Sequence, residues 1–72
     1  MKENEFYKTL GAFLRNERKR RNLTVTDVAK RLHVGKSTIA YYETCERAIS
    51  VFMLKQYADI LGYTIDEIFS RI

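Results

Sequence analysis

The residues that can do chemistry gather between His33 and Arg47, in the stretch HVGKSTIAYYETCER. Gly35-Lys36-Ser37 has the ending of a phosphate-binding loop. That loop needs a glycine five positions before Gly35, where Lys30 stands, and a strand before it, where this segment reads as helix. His33 and Cys45 form a thiol–imidazole pair on paper, but nothing supplies the third group that would orient it in a cleft. Cys45 is the only cysteine and His33 the only histidine, so neither has partners for a metal site. Lys36, Ser37 and Tyr41 remain. At helical spacing they fall on one face and offer donors and acceptors with no catalytic base beside them. No enzyme is implied, and no cofactor or metal.

These side chains need a helix that points them outward. Val25 to Thr44 reads as two short helices joined by a tight turn, the arrangement that pushes a helix into the major groove of DNA. Thr24 is a good N-cap for the first of the two. Asp27, three residues on, resembles the acidic partner of a capping box. Val28, Ala29 and Leu32 give this helix its buried face, and His33 stands at the turn, where positive φ is expected. Gly35 opens the second helix, Lys36 to about Thr44. Ile39 and Tyr42 are expected to face the core. Lys36, Ser37, Ala40, Tyr41 and Thr44 are expected to face away.

Three further helices complete the scaffold. Phe6, Leu10, Phe13 and Leu14 have helical spacing, and a helix runs from Phe6 to a basic last turn at Arg21, after polar residues 1–5. Asn22 is expected in the left-handed conformation. After a loop from Thr44 to Ile49, Ser50 caps a fourth helix with Val51, Leu54, Tyr57, Ala58 and Leu61 inward. Gly62 ends it. Thr64-Ile65-Asp66-Glu67 is a capping box opening a fifth helix, buried through Ile65, Ile68 and Phe69.

Composition agrees with one small helical domain. The chain has 72 residues, 46% of them hydrophobic, with no proline and three glycines. A chain this short buries roughly 60% of its unfolded surface, so its stability is thin. Charge is uneven within the net +4: ten basic against four acidic residues in 1–40, then three against five in 41–72. A basic half suggests a polyanion partner. No signal peptide and no membrane span are evident. The expectation is a cytoplasmic protein of bacterial or phage type, associated with the nucleoid.

Leu23-Thr24, Val28-Ala29, Leu32, Val34, Lys36-Ser37-Thr38-Ile39 and Tyr42-Glu43 together resemble the Cro and lambda-repressor type helix-turn-helix family, often called Xre-like. Leu54 to Ala58, Leu61-Gly62, Thr64, Asp66-Glu67 and Ile68-Phe69 resemble that family's fourth and fifth helices. The likeness spans about residues 10–69 and implies an all-α, five-helix lambda-repressor-like domain over 1–72, with its motif at 25–44. The sequence departs from the family at four places. Val25 replaces a glutamine that grips the DNA backbone, His33 and Cys45 replace turn glycines, and Glu17 takes an apolar position. Val25, His33 and Cys45 are where the largest differences from relatives are expected.

The resemblance implies that the third helix enters the major groove of double-stranded DNA. Lys36 can donate to guanine O6 and N7, Ser37 is adaptable, and Tyr41 can reach a base edge, a thymine methyl or a phosphate. Thr38 completes the base-contact set. Phosphate contacts are expected from Arg18, Thr26, Thr44 and Arg47. Arg18 opens the run Arg18-Lys19-Arg20-Arg21, read as a largely solvated basic face that steers association. The resemblance also suggests that Glu43 pairs with Arg18 and aims it at phosphate.

Members of such a family usually dimerise on a palindrome. A homodimer is expected here through Phe52, Ile60, Tyr63 and Ile72. The alternative is that these residues cover the first helix through Phe6 and Tyr7. The expected function is a sequence-specific transcriptional regulator, a small repressor of phage or mobile-element type. An antitoxin or a restriction-modification controller is a second DNA-binding reading. A protein-interaction module that has lost DNA binding is a reading of another class. No small-molecule ligand is implied.

Overall fold

In a computed structural model, which describes residues 2–72, the chain forms five helices: α1 (Glu3–Arg20), α2 (Val25–Leu32), α3 (Lys36–Glu43), α4 (Val51–Leu61) and α5 (Ile65–Arg71). α1 therefore starts a turn before Phe6, where the polar opening residues were not expected to be helical. Glu3 and Glu5 lie in its first turn, favourable to the positive end of the helix dipole.

The ends of the helices follow their local chemistry. Thr24 and Thr64 each accept the N–H three residues on, from Asp27 and Glu67, and those carboxylates accept the threonine N–H groups in return. Ser50 accepts from the Met53 N–H. Each connection between helices contains one left-handed residue: Asn22 (φ 57°), His33 (φ 58°), Cys45 (φ 62°) and Gly62 (φ 82°). Around three of them the last carbonyls are recovered in six-to-one bonds: Leu23 N–H to Arg18 O, Val34 N–H to Ala29 O and Tyr63 N–H to Ala58 O.

One core joins all five helices. Leu10 and Leu14 come from α1, Val28, Ala29 and Leu32 from α2, and Ile39 from α3. Ile49 comes from the α3–α4 loop, Leu54, Tyr57, Ala58 and Leu61 from α4, and Ile68 from α5. Leu23, Val34 and Tyr42 pack on this core while partly exposed. Gly11 lets α1 lie directly on the end of α3. A Cβ there would sit 2.6 Å from the Tyr42 carbonyl oxygen and 2.7 Å from that of Glu43.

Two expected core residues are outside. Val51 is 75% exposed, because the first turn of α4 projects beyond the helices that cover its middle. Phe69 is 47% exposed and meets only the edge of the Phe6 ring, at 5.8 Å between centroids. Periodicity put both on the inner face of their helices. Neither helix is covered along its whole length.

Candidate nucleic-acid interface

α3 is anchored on one side and open on the other. Ile39 is fully buried and Tyr42 packs on the core. Lys36 and Ser37 are exposed, and Thr38, Ala40 and Tyr41 are half-buried. No side-chain hydrogen bond engages Lys36, Ser37 or Thr38 among the described residues, so their donors and acceptors stay free. Gly35 caps α3 in extended conformation without a side-chain bond.

Tyr41 does not stand alone. The Arg47 guanidinium lies 5.1 Å from its ring centroid, and the Arg47 N–H donates to the Tyr41 carbonyl at 3.2 Å. This cation–π stack folds the loop after α3 back along the helix. Thr44 is exposed and its hydroxyl donates to the Ala40 carbonyl at 2.9 Å. Thr26 is exposed in the first turn of α2. The phosphate candidates Thr26, Thr44 and Arg47 thus flank the two helices of the motif.

Arg18 is different. Its Nε and Nη2 donate to the two oxygens of Glu43 at 2.8 and 3.0 Å, and its Nη1 donates to the Leu23 carbonyl at 2.8 Å. Only 8% of its side chain is exposed. The pair with Glu43 is therefore a buried tie between α1 and α3. It leaves Arg18 on the floor of a groove with Arg15, Val25, Ala40 and Thr44 along it. Each of the three guanidinium nitrogens of Arg18 is engaged within the fold. Arg15 is exposed on that groove.

Tyr57 completes the tie. It is fully buried, and its hydroxyl donates to Glu43 Oε2 at 2.7 Å. Burial, and then the carboxylate beside it, push the phenol well above its ordinary range and keep it a donor. The guanidinium of Arg18 is held charged by its bonds to Glu43. No buried side-chain nitrogen or oxygen lacks a partner among the described residues.

A second polar cluster stands at the other end of the basic run. Glu17 accepts from Arg20 at 2.8 Å, Arg21 at 2.9 Å and the Tyr63 hydroxyl at 2.9 Å. The Arg21 bond, followed by those from Tyr63 and Arg20, brings the Glu17 carboxyl from 4.5 down to about 2 against the opposing effect of burial. The polar residue at an apolar family position is thus buried and satisfied. In the run Arg18 to Arg21 only Arg18 is buried; Lys19, Arg20 and Arg21 are exposed, with Arg20 and Arg21 paired to Glu17.

Of the expected dimer residues, only Phe52 is freely exposed, at 69%. Ile60, Tyr63 and Ile72 are half-buried against the core. Tyr63 lies against Phe13 and carries Arg21 and Arg71 over its ring at 5.4 and 5.0 Å. That is the covering role for the first helix, although through Phe13 rather than Phe6 or Tyr7. Among the described residues no three His, Cys, Asp or Glu side chains converge as a metal site would need. No helix among the described residues is long and apolar enough to cross a membrane.

A helix anchored on its inner face, free on its outer face and flanked by cations and hydroxyls is the working surface of a helix-turn-helix module. The sequence profile described as helix-turn-helix matches residues 14–68. The chain belongs to this family, the Cro and lambda-repressor type (Xre-like) DNA-binding transcriptional regulators. No curated protein sequence matches the chain. Two solved structures of the clp gene regulator ClgR from Corynebacterium glutamicum are similar in fold, each at 22% identity and over 89% of this chain. One is covered over 82% of its length at a TM-score of 0.82, the other over 68% at 0.83.

Proposed function

We propose that the protein is a sequence-specific repressor of phage or mobile-element type that reads a palindromic operator as a homodimer, with α3 in the major groove. The observation that carries this reading is the free outer face of α3. Lys36 and Ser37 are exposed and uncommitted on a helix whose inner face is fixed. In this reading Lys36 donates to guanine O6 and N7, Ser37 and Thr38 bond to neighbouring base edges, and Tyr41 meets a base edge or a thymine methyl. Thr26, Thr44 and Arg47 hold phosphates, with Arg15 taking the part first given to Arg18. Phe52, with Val51 beside it, supplies the most exposed apolar contact of the dimer, and the uncovered edges of Ile60 and Ile72 extend it.

Selection of bound duplexes from a random pool tests the reading directly. A recovered sequence with two inverted half-sites about 34 Å apart is expected. Sedimentation should show a dimer on that duplex. A pool that stays random while binding persists at low salt would leave a non-specific DNA-binding protein. Absence of binding at low salt would favour the protein-interaction module.

A further inference from the structure

The inner face of α3 is packed on the core through Ile39, and its polar tie to other helices lies at its last residue. Glu43, its last residue, receives three hydrogen bonds from two other helices: two from Arg18 in α1 and one from Tyr57 in α4. At the other end Gly35 brings no side-chain bond. A helix of eight residues is about 12 Å long. With Ile39 buried in its middle, a shift of the Glu43 tie tilts the helix about that point, and the opposite end carries Lys36 and Ser37.

Arg18 alone does not fix that direction. It holds Glu43 from α1 only, where its own bond to the Leu23 carbonyl keeps it in place. Tyr57 is a different kind of anchor. Its ring is fully buried in the middle of α4, a helix closed by the Ser50 cap and by Gly62. Its hydroxyl has little freedom except rotation about the C–O bond. Glu43 Oε2 accepts from both Arg18 Nε and this hydroxyl, so its position is fixed from two helices at once.

We propose that Tyr57 is a positioning residue: acting through Glu43, its hydroxyl sets the direction in which α3 leaves the body of the domain, and so the angle at which Lys36, Ser37 and Tyr41 meet DNA. The second half of this statement rests on the function proposed above. The first half does not.

The test compares the wild type with Tyr57→Phe, which keeps the buried ring and removes the hydroxyl, and with Ile68→Val, which loosens the core in α5 without touching Glu43. Each is held at a temperature where circular dichroism shows it fully folded. Binding is measured to the selected duplex and to a random duplex of equal length. Tyr57→Phe is expected to lower the ratio of the two affinities about tenfold, with random-duplex affinity nearly unchanged. Ile68→Val is expected to keep the wild-type ratio. A wild-type ratio in Tyr57→Phe, or an equal fall in both variants, overturns the positioning role. Amide nitrogen–proton spectra of the free proteins supply a readout without DNA. Shifts in Tyr57→Phe concentrated in residues 36–44 are expected. Unmoved α3 amides overturn the proposal whatever the DNA data show. If the wild type prefers no sequence, the function proposed above fails, and the amide shifts alone then decide for or against the role of Tyr57.

Discussion

The Tyr63 hydroxyl donates to Glu17 Oε1 at 2.9 Å, joining residues 46 positions apart. The bond ties the last turn of α1 to the turn between α4 and α5, where Tyr63 lies under Arg21 and Arg71. Glu17 is therefore an organising acid inside the fold. Glu17→Ala leaves Arg20 and the Tyr63 hydroxyl without their acceptor and Arg21 with only the backbone carbonyl of residue 17. It should lower stability by about 1–3 kcal/mol, measured by urea unfolding.

The same carboxyl sets a pH dependence. Its folded value, about 2, lies below the unfolded value of 4.5. The sign follows: a depressed acid contributes stability that is fully present above 4.5 and is lost as pH falls toward 2. The wild-type Tm should drop through this window. Glu17→Gln, which cannot ionise, should start lower at neutral pH and show a shallower drop. Parallel Tm–pH curves for the two proteins would contradict this assignment.

Glu43→Ala removes the tie between α1, α3 and α4 in one step. It leaves a buried guanidinium and a buried phenol without their acceptor. The expected loss is about 3–5 kcal/mol, a large part of the stability of so small a domain. DNA affinity should fall with it. Unchanged melting together with unchanged affinity would dispose of the tie.

Gly11→Ala tests how closely α1 lies on the recognition helix. The added methyl meets two backbone carbonyl oxygens, at 2.6 and 2.7 Å, and backbone cannot turn aside as a side chain can. α1 and α3 must separate, at a cost of about 1–3 kcal/mol. Affinity for the selected duplex should fall more than affinity for a random one. Competition binding between the two duplexes measures it.

Two surface changes separate reading from holding. Lys36→Ala should relax preference at one position of the selected sequence, losing about 1–3 kcal/mol of discrimination there. Arg47→Ala should weaken binding to every sequence and reduce the salt slope by about one. It also strips the cation from the face of Tyr41, so a smaller specificity loss should accompany the general one. Titrations at several salt concentrations, on selected and random duplexes, distinguish the two patterns.

Much of this structure was readable from residue types. Both capping boxes, the Ser50 cap and left-handed Asn22 and His33 follow from short-range chemistry, and the structure places them where local rules put them. So does most of the core, because Val28, Leu32, Ile39, Leu54 and Leu61 recur at helical spacing. Val51 and Phe69 were misplaced because spacing shows which face of a helix is apolar, without showing whether a neighbour reaches that turn. The polar clusters were the least legible. Glu17 with Tyr63 and Glu43 with Tyr57 meet only after the helices pack, and nothing local marks a tyrosine as a hydroxyl donor rather than as bulk. Arg18 was half legible: family likeness suggested its partner, and its burial had to come from the fold.

The left-handed residues between helices carry a consequence for how such a chain can diverge. Adding or deleting one residue beside Asn22, His33 or Gly62 would break the six-to-one bond that closes the preceding helix and displace the left-handed residue from its place in the turn. Length changes there are all-or-nothing events. Lineages can explore new binding preferences by exchanging side chains at 36, 37 and 41, whereas insertions are tolerable chiefly in the longer stretch between Thr44 and Ser50 or at the chain ends.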